Sequence, residues 1–258
     1  MIVAILAGGA GTRLAEETET KPKGMVEIGG KPILWHIMMH YSHYGFDHFM
    51  IALGYKGEVI KKYMLEYRSL SGNLVVNMKT GTVEVAPNGS RRPDWLVELV
   101  DTGLATQTGG RIKRLAPYIG NETFMLTWSD GVSNVNLREL LAFHRSHGKL
   151  ATLTAVHPIA RFGYLDLDGP VVTRFSEKLQ TDEGLINGAF FVLEPGVFDY
   201  IDDDDTSWEH VSMARLAESG QLMAFRHEGF WRCMDTLHDK RTLEAIWQSS
   251  NPPWKVWE

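Results

Sequence analysis

The sequence begins MIVAILAGGAGTRL (residues 1–14), in which a run of apolar residues leads directly into three glycines, a threonine and an arginine. An apolar run without polar alternation is typical of a strand buried on both faces, as in a parallel sheet. A glycine-rich turn after such a strand lets backbone N–H groups approach a bound phosphate closely. The opening therefore predicts an α/β protein whose first strand ends at a candidate phosphate-binding loop.

Helix and strand patterns alternate after this loop. Residues 33–44 have the length and period of a helix, residues 46–54 have the pattern of a buried strand, and residues 57–68 resemble a second helix. Such alternation is typical of a doubly wound parallel sheet. We therefore predict a Rossmann-like α/β fold with a mixed, mostly parallel sheet flanked by helices.

Two segments depart from this alternation. Residues 73–100 contain three short strand patterns separated by turn residues, which predicts a small antiparallel β excursion from the main sheet. Residues 196–258 have a mixed pattern and are predicted to form a C-terminal α/β extension. Because no repeat, low-complexity tract or linker separates these parts, we predict a single domain over residues 1–258.

The composition bears on partners and location. The net charge of −6 gives no general attraction to nucleic acid or to an anionic membrane, so anions must be bound by a local positive cluster. The single cysteine, Cys233, cannot form an internal disulfide, which favours the cytoplasm. The first apolar run is too short for a secretion signal, and no stretch approaches the roughly 20 apolar residues of a membrane span.

The glycine loop differs from two familiar phosphate-binding loops. It lacks the GK[ST] ending of the triphosphate-binding P-loop, and Leu14 stands where the dinucleotide fingerprint needs its third glycine. Arg13 is followed by Lys21, Lys23 and Lys31, and these cations predict a pocket for a polyanion. The alternative is a tight turn with a surface arginine, followed by a solvated basic turn.

Two aspartates follow predicted strands in distant parts of the chain. Asp130 ends the buried strand pattern of residues 123–131, and Asp235 lies in a strand-to-helix turn. Ligand groups in α/β sheets lie at the carboxyl ends of strands, and two carboxylates there are suited to holding one Mg²⁺. The alternative for each aspartate is a helix cap or a turn residue.

Nine segments spread along the chain form a recognisable set. They are LAGGAGTRL (6–14), KPKGMVEIGGKPILWHI (21–37), LVDTG (99–103), TGGRIKRL (108–115), SDGV (129–132), RFGYLD (161–166), SEK (176–178), INGAFFVL (186–193) and FWRCMDTLHDK (230–240). This set resembles the sugar-1-phosphate nucleotidyltransferases and, within that family, the members that use CTP. The resemblance implies Mg²⁺-dependent transfer of CMP from CTP to α-D-glucose 1-phosphate, giving CDP-glucose and pyrophosphate for deoxysugar and O-antigen lipopolysaccharide synthesis. It also implies a homo-oligomer.

The same resemblance implies roles for individual residues. Lys23 would contact the triphosphate and Arg13 would neutralise the leaving pyrophosphate, so both are expected to be catalytic. Asp130 and Asp235 would hold Mg²⁺. The residues expected to line the nucleotide site, besides Arg13 and Lys23, are Leu6, Ala7, Gly8, Gly9, Ala10, Gly11, Thr12, Ala105, Gly110, Arg111 and Ser129. Those expected to bind the sugar phosphate are Gly163, Glu177, Lys178 and Asn187.

The chain departs from the family pattern at the edges of this implied site. Position 24 is proline in the pattern and glycine here, and position 129 is glycine in the pattern and serine here. Ala105 replaces a serine, and Leu179-Gln180 replaces a proline and a lysine. Because no central charge is altered, the type of reaction is predicted more strongly than the base and the sugar. The alternatives are the same chemistry on another sugar phosphate or triphosphate, and a non-catalytic nucleotide-sugar binding protein.

Two further features are interpreted from the residues alone. His36, His40 and His43 recur at helical spacing without an evident carboxylate or cysteine partner, so we interpret them as a solvated helix face rather than a metal site. Trp254 and Trp257 in the C-terminal PPWKVWE predict burial against this chain or another subunit.

Overall fold

The fold is built around one seven-stranded sheet, seen in a computed structural model that describes residues 1–70, 73–86, 93–158, 164–176, 184–249 and 251–257. The strands are, in chain order, β1 (Ile2–Ala7), β2 (Glu27–Ile28), β3 (Lys31–Pro32), β4 (His48–Leu53), β5 (Asn73–Asn77), β6 (Thr82–Ala86), β7 (Leu96–Asp101), β8 (Phe124–Trp128), β9 (Gly131–Ser133), β10 (Ala151–Val156), β11 (Tyr164–Asp168), β12 (Val171–Ser176), β13 (Ile186–Leu193), β14 (Leu222–His227) and β15 (Trp231–Cys233). The helices are α1 (Ala15–Thr18), α2 (Ile33–His43), α3 (Gly57–Leu70), α4 (Thr108–Ile119), α5 (Leu137–His147), α6 (Met213–Glu218) and α7 (Leu237–Trp247).

The central sheet is mixed and mostly parallel, as predicted. Its strand order is β14-β10-β13-β8-β1-β4-β7, and β13 runs against the other six strands. Alternate residues of β1 enter opposite cores: Val3 and Ile5 pack towards α2, whereas Ala4 and Leu6 pack towards α4. Since both faces of β1 are covered, its side chains are apolar without alternation.

The position of β1 creates the crevice of the fold. The chain passes from β1 to β4 on one side, and β8 later joins β1 on its other side. In open α/β sheets the crevice at such a switch point lies beyond the carboxyl ends of the strands. The glycine loop follows β1 and Ser129-Asp130 follows β8, so both segments face this crevice.

The structure corrects one part of the predicted β excursion. Strands β5 and β6 form a separate antiparallel hairpin, but β7 joins the edge of the central sheet parallel to β4. The sequence of β7 did not reveal its partner, because an edge strand is only partly buried and carries charged residues, here Glu98 and Asp101, whether its neighbour is parallel or antiparallel. The single domain remains a prediction. In the described ranges, no helix is long and apolar enough to cross a membrane.

The interpretation of the α2 histidines as a solvated face is wrong for two of the three. The side chains of His36 and His40 are 1% and 3% exposed, and only His43 lies at the surface. Trp254 donates its indole N–H to Nδ1 of His36 (3.4 Å), and Nε2–H of His36 donates to the Ile28 carbonyl (2.8 Å). The predicted burial of the C-terminal tryptophans is confirmed within this chain, and they cover the helix face.

Candidate active site

The glycine loop leaves β1 through backbone conformations that suit its glycines. Gly11 has a φ of 62°, the left-handed region that glycine enters most readily, and the next residues form a short 3₁₀ turn (Thr12–Leu14). The Gly8 carbonyl accepts the backbone N–H of Tyr55 at 3.0 Å, which ties the loop to the end of β4. No described atom approaches within 4 Å of the side-chain position at Gly9, so the loop is open towards the crevice.

Arg111 of α4 holds three strand ends together. Its buried guanidinium donates to the carbonyl oxygens of Gly8, Leu53, Gly103 and Leu104 at 2.7–3.2 Å. A further donation reaches the Thr102 hydroxyl at 2.8 Å. The guanidinium therefore is a common donor to carbonyls at the ends of strands β1, β4 and β7, of which those of Gly8 and Leu53 also accept a backbone N–H.

This arginine explains why two of the surrounding positions are glycines. A Cβ atom at Gly54 would lie 2.5 Å from the Arg111 guanidinium, and one at Gly8 would overlap it. Arg111 thus has a structural role that the sequence did not predict. It also lines the crevice in which the resemblance implies that the nucleotide binds.

Four charged side chains meet at the mouth of the crevice. Lys23 lies in a 3₁₀ turn (Lys23–Met25), and its ammonium is 2.7 Å from Oδ2 of Asp130. The same ammonium pairs with Oδ1 of Asp235, whose other oxygen accepts from Arg13 at 2.9 Å. Lys23 is only 13% exposed, whereas Arg13 is 70% exposed and extends from the loop.

The pairing of β9 with β15 brings the two aspartates together. In this antiparallel pair Gly131 is opposite Cys233, and the Met234 N–H donates to the Asp130 carbonyl at 2.8 Å. Asp235 directly precedes Thr236, the N-cap of α7, and a capping box between Thr236 and Asp239 fixes the first turn of that helix. Two carboxylates more than 100 residues apart in the chain are thereby held around one cation.

The ionisation states follow from this arrangement. Burial by itself lowers the pKa of the Lys23 ammonium, but the carboxylates of Asp130 and Asp235 outweigh burial and raise it. Burial, followed by the nearby negative charges, raises the pKa of the Cys233 thiol to about 12. The lysine is therefore a permanent cation near neutral pH, and Cys233 is a neutral thiol rather than a nucleophile or a thiolate ligand.

The crevice is a cavity of about 260 Å³ between the glycine loop, the start of α4 and the end of β8. Nine predicted site residues line it: Leu6, Gly8, Gly9, Gly11, Arg13, Lys23, Arg111, Ser129 and Asp130. The residues that line it but were not predicted are Thr106, Gln107, Thr108 and Trp128. The first three stand at the N-terminus of α4, where the helix dipole favours anions, and the backbone N–H groups of Gln107, Gly109 and Gly110 there donate to the carbonyls of Asp204 and Thr206. The start of that predicted helix was the signal that could have identified them.

Other predicted residues lie elsewhere. Ala10 and Thr12 border a shallow neighbouring pocket beside Tyr55, and Gly110 packs against the backbone of Asp204. Asn187 uses its side-chain oxygen to accept the N–H of Ala189 at 2.8 Å. Of the described residues, Ala7 and Ala105 also do not line the crevice, and Asp235 reaches its mouth only through its ion pairs. Gly163, Glu177 and Lys178 lie outside the described residues.

The predicted cluster of cations is smaller than expected. Of the four basic residues, only Arg13 and Lys23 line the crevice in the described part of the chain. The Lys31 ammonium instead lies over the Trp35 ring, 5.9 Å from its centroid. The turn between β2 and β3 carries Lys31 away from Lys23, which proximity in sequence alone did not reveal.

The donor set at the mouth fits a magnesium ion bound together with a phosphate ligand. Among the described residues, no group of three or more histidine, cysteine or carboxylate side chains could form a metal cage by itself. Asp130 and Asp235 offer hard oxygen ligands around one cationic group, Lys23. Mg²⁺ is commonly held by one or two carboxylates together with substrate phosphates and water, which matches this pair.

Comparison with known proteins identifies the family. The family described as nucleotidyl transferase matches residues 2–236. The chain belongs to the nucleotidyl transferase family. A relative from Salmonella typhi, named glucose-1-phosphate cytidylyltransferase, is 51% identical over 259 residues, covering 100% of both chains.

Two further comparisons place this nucleotidyl transferase among its relatives. A Bacillus subtilis protein named probable glucose-1-phosphate cytidylyltransferase is 42% identical over 258 residues, again covering 100% of both chains. The crystal structure of HddC from Yersinia pseudotuberculosis matches with a TM-score of 0.70 at 23% identity, covering 96% of this chain and 99% of that one. The predicted fold class and family are therefore confirmed.

Proposed function

We propose that this nucleotidyl transferase transfers CMP from CTP to α-D-glucose 1-phosphate, releasing pyrophosphate and forming CDP-glucose. The observation that carries the type of reaction is the Lys23 ammonium held between Asp130 and Asp235 at the mouth of the crevice. The full-length relatives named glucose-1-phosphate cytidylyltransferase support the choice of CTP and glucose 1-phosphate. We further propose that the product serves deoxysugar and surface-polysaccharide synthesis.

The reaction joins two anions, so positioning and charge neutralisation dominate its catalysis. A phosphate oxygen of glucose 1-phosphate forms a bond to the α-phosphorus of CTP, and the bond to the bridging oxygen breaks as pyrophosphate leaves. Gly8, Gly9 and Gly11 of the loop, and Gln107 and Thr108 at the start of α4, line the crevice that would receive the triphosphate.

Lys23 and Arg13 would neutralise charge on different phosphate groups. Lys23 is buried and fixed, which suits a group that stabilises charge developing at the α-phosphoryl group. Arg13 is largely exposed on the loop, which suits a group that binds the leaving pyrophosphate and lets it go. Asp130 and Asp235 would hold Mg²⁺, which when bound neutralises phosphate charge and aligns the triphosphate.

Release of pyrophosphate tests this proposal directly. The purified protein is assayed with each of CTP, UTP, GTP, ATP and dTTP against several sugar 1-phosphates, in Mg²⁺ and in EDTA. We expect the highest kcat/KM with CTP and glucose 1-phosphate, and none in EDTA. A higher kcat/KM for another pair would replace the substrates, whereas nucleotide binding without turnover by any pair would favour a non-catalytic binding protein.

The protein is also proposed to act as a cytoplasmic homo-oligomer. The hairpin of β5 and β6 exposes Leu74, Val76 and Val83 on one face, each more than 40% accessible. An isolated two-stranded hairpin is marginally stable in water, so a second copy covering this face would stabilise it. Cys233 is a free thiol, in keeping with a reducing compartment.

A further inference from the structure

Gly24 is a glycine for reasons of space rather than backbone conformation. It lies buried in the 3₁₀ turn of Lys23, and it is not among the glycines with positive φ. A Cβ atom at this position would lie 3.0 Å from Cβ and 3.2 Å from Oγ of Ser129. Because contacts of 3.0–3.2 Å are tighter than most real Cβ contacts, a Cβ atom at position 24 would require Ser129 to move by a few tenths of an ångström.

Ser129 is in turn held in place from the other side. Its backbone N–H donates to the Leu6 carbonyl at 3.1 Å, which ties it to the end of β1. Its side chain is 7% exposed and lines the crevice, and among the described residues it makes no side-chain hydrogen bond. The contact with Gly24 is therefore a packing contact between two fixed pieces of backbone.

Gly24 and Ser129 are each adjacent in the chain to a charged residue of the site. Gly24 follows Lys23, and Ser129 precedes Asp130. The turn around Gly24 is closed by hydrogen bonds from Met25 to Pro22 (2.8 Å) and from Val26 to Lys23 (3.1 Å). A change in the spacing of Gly24 and Ser129 would therefore be transmitted to the 2.7 Å ion pair of Lys23 with Asp130.

We infer that Gly24 and Ser129 form a matched pair that sets the separation of Lys23 and Asp130 and so positions the groups that bind the triphosphate. The inference rests on the proposed function. It explains two departures from the family pattern together: glycine instead of proline at position 24, and serine instead of glycine at position 129. The side chain of Ser129 crowds the space that a side chain at position 24 would need. Both are positioning residues, because the pair acts through its charged neighbours.

A double-mutant cycle tests the pair. Gly24→Ala forces a methyl group against Ser129, Ser129→Gly removes the contact, and the combined variant keeps one side-chain carbon between the two backbones. Ser129→Ala is the matched control, because it keeps the Cβ atom and removes only the hydroxyl. The first readout is the affinity for pyrophosphate in Mg²⁺ by calorimetry, since pyrophosphate is released whichever base and sugar are used.

Each of Gly24→Ala and Ser129→Gly is expected to weaken pyrophosphate binding and to lower kcat by about tenfold, because shifts below 1 Å misalign the charged groups. The combined variant is expected to recover to within about threefold of the unaltered protein, which is a strong departure from additivity. Ser129→Ala is expected to lose less than Ser129→Gly. Thermal unfolding of every variant shows that the fold is retained.

Four results would overturn the inference. Losses that multiply in the combined variant would show independent roles, and a Ser129→Ala variant as impaired as Ser129→Gly would show that the hydroxyl itself binds the ligand. Single variants that lower only the melting temperature would show a contact of stability alone. If the protein binds magnesium pyrophosphate but does not convert CTP and glucose 1-phosphate, the proposed function is wrong. The pyrophosphate affinities of the variants would still test whether Gly24 and Ser129 act as a pair. Absence of pyrophosphate binding would overturn both.

Discussion

At the level of single residues, the site depends on the Lys23 ammonium, which is held between the carboxylates of Asp130 and Asp235. Arg13, Asp130 and Asp235 were predicted from residue types that suit phosphate and Mg²⁺ beside recognisable strand ends, whereas the resemblance singled out Lys23 among three lysines close in sequence. The pairing of Lys23 with both aspartates was not predicted, since it depends on the β9–β15 contact. Chemical identity is visible in a sequence, whereas distance is not.

Asp130→Asn is expected to lower kcat by at least about 100-fold, because an amide is a poor ligand for Mg²⁺ and a weak partner for Lys23. Pyrophosphate release at saturating substrate measures this effect, and circular dichroism checks the fold. Asp205→Asn is the control, because it removes the same charge from an exposed segment away from the crevice. Equal rates for the two variants would rule out a catalytic site at Asp130.

Arg111→Lys is expected to lower the free energy of unfolding by roughly 2–4 kcal/mol, because one ammonium cannot satisfy the buried carbonyls of three strand ends. Urea denaturation measures this change. Arg114→Lys provides the comparison, since Arg114 lies on the same helix but pairs with Asp204 at the surface. If both variants unfold at the same urea concentration, Arg111 does not hold the strand ends.

At the level of elements, α2 was predicted correctly as a helix, but the side of the helix that faces solvent was predicted wrongly. Its length and end were predicted from local periodicity, but the direction of its histidines depends on what packs against it. Trp254, which is more than 200 residues away in the chain, supplies the partner of His36. A helix alone does not specify which of its polar residues another segment will bury.

The buried histidines predict a stability that falls with acid. Burial lowers the pKa of His36 to about 4 and that of His40 to about 3, against 6.5 in an unfolded chain. The unfolded state therefore binds protons first, so their contribution is complete above pH 6.5 and is lost as the pH falls towards 4. Among the charged and titratable neighbours, Glu244 raises and Lys31 lowers the pKa of His36. His43 and His227 lower the pKa of His40.

His40→Leu is expected to reduce the loss of unfolding free energy between pH 7 and pH 4 by on the order of 3 kcal/mol relative to the unaltered protein. Urea denaturation at a series of pH values measures the slope. His210→Leu, at an exposed position that is not among the groups acting on His36 or His40, should retain the original slope. Parallel curves for all three proteins would show that His40 does not titrate as a buried neutral group.

At the scale of the whole molecule, the exposed hairpin is the strongest sign of self-association. Val76 and Val83 are opposite each other in the register of β5 and β6, and they are 48% and 57% exposed. Such apolar area on a two-stranded unit is suited to contact with another subunit rather than with water. The prediction of a homo-oligomer thus has a specific surface on which it can be tested.

Val76→Lys combined with Val83→Lys is expected to shift the protein to a smaller species, because two cations would be buried in the contact. Light scattering after size exclusion measures the mass. Asn73→Lys with Val75→Lys adds the same charge to the opposite face of the hairpin and should leave the mass unchanged. A monomeric unaltered protein, or equal dissociation by both double variants, would contradict this interface.

The amino-acid pattern was enough to predict the buried first strand, the glycine loop, the order of helices and strands, and the residue types that serve phosphate chemistry. These features depend on local periodicity and side-chain chemistry, which are legible along a chain. The folded molecule was needed to show that β7 lies parallel at the sheet edge, that Arg111 joins three strand ends and that His36 and His40 of α2 are buried. Folding also brings Gly24 against Ser129, because contacts between distant residues arise only when elements pack in three dimensions.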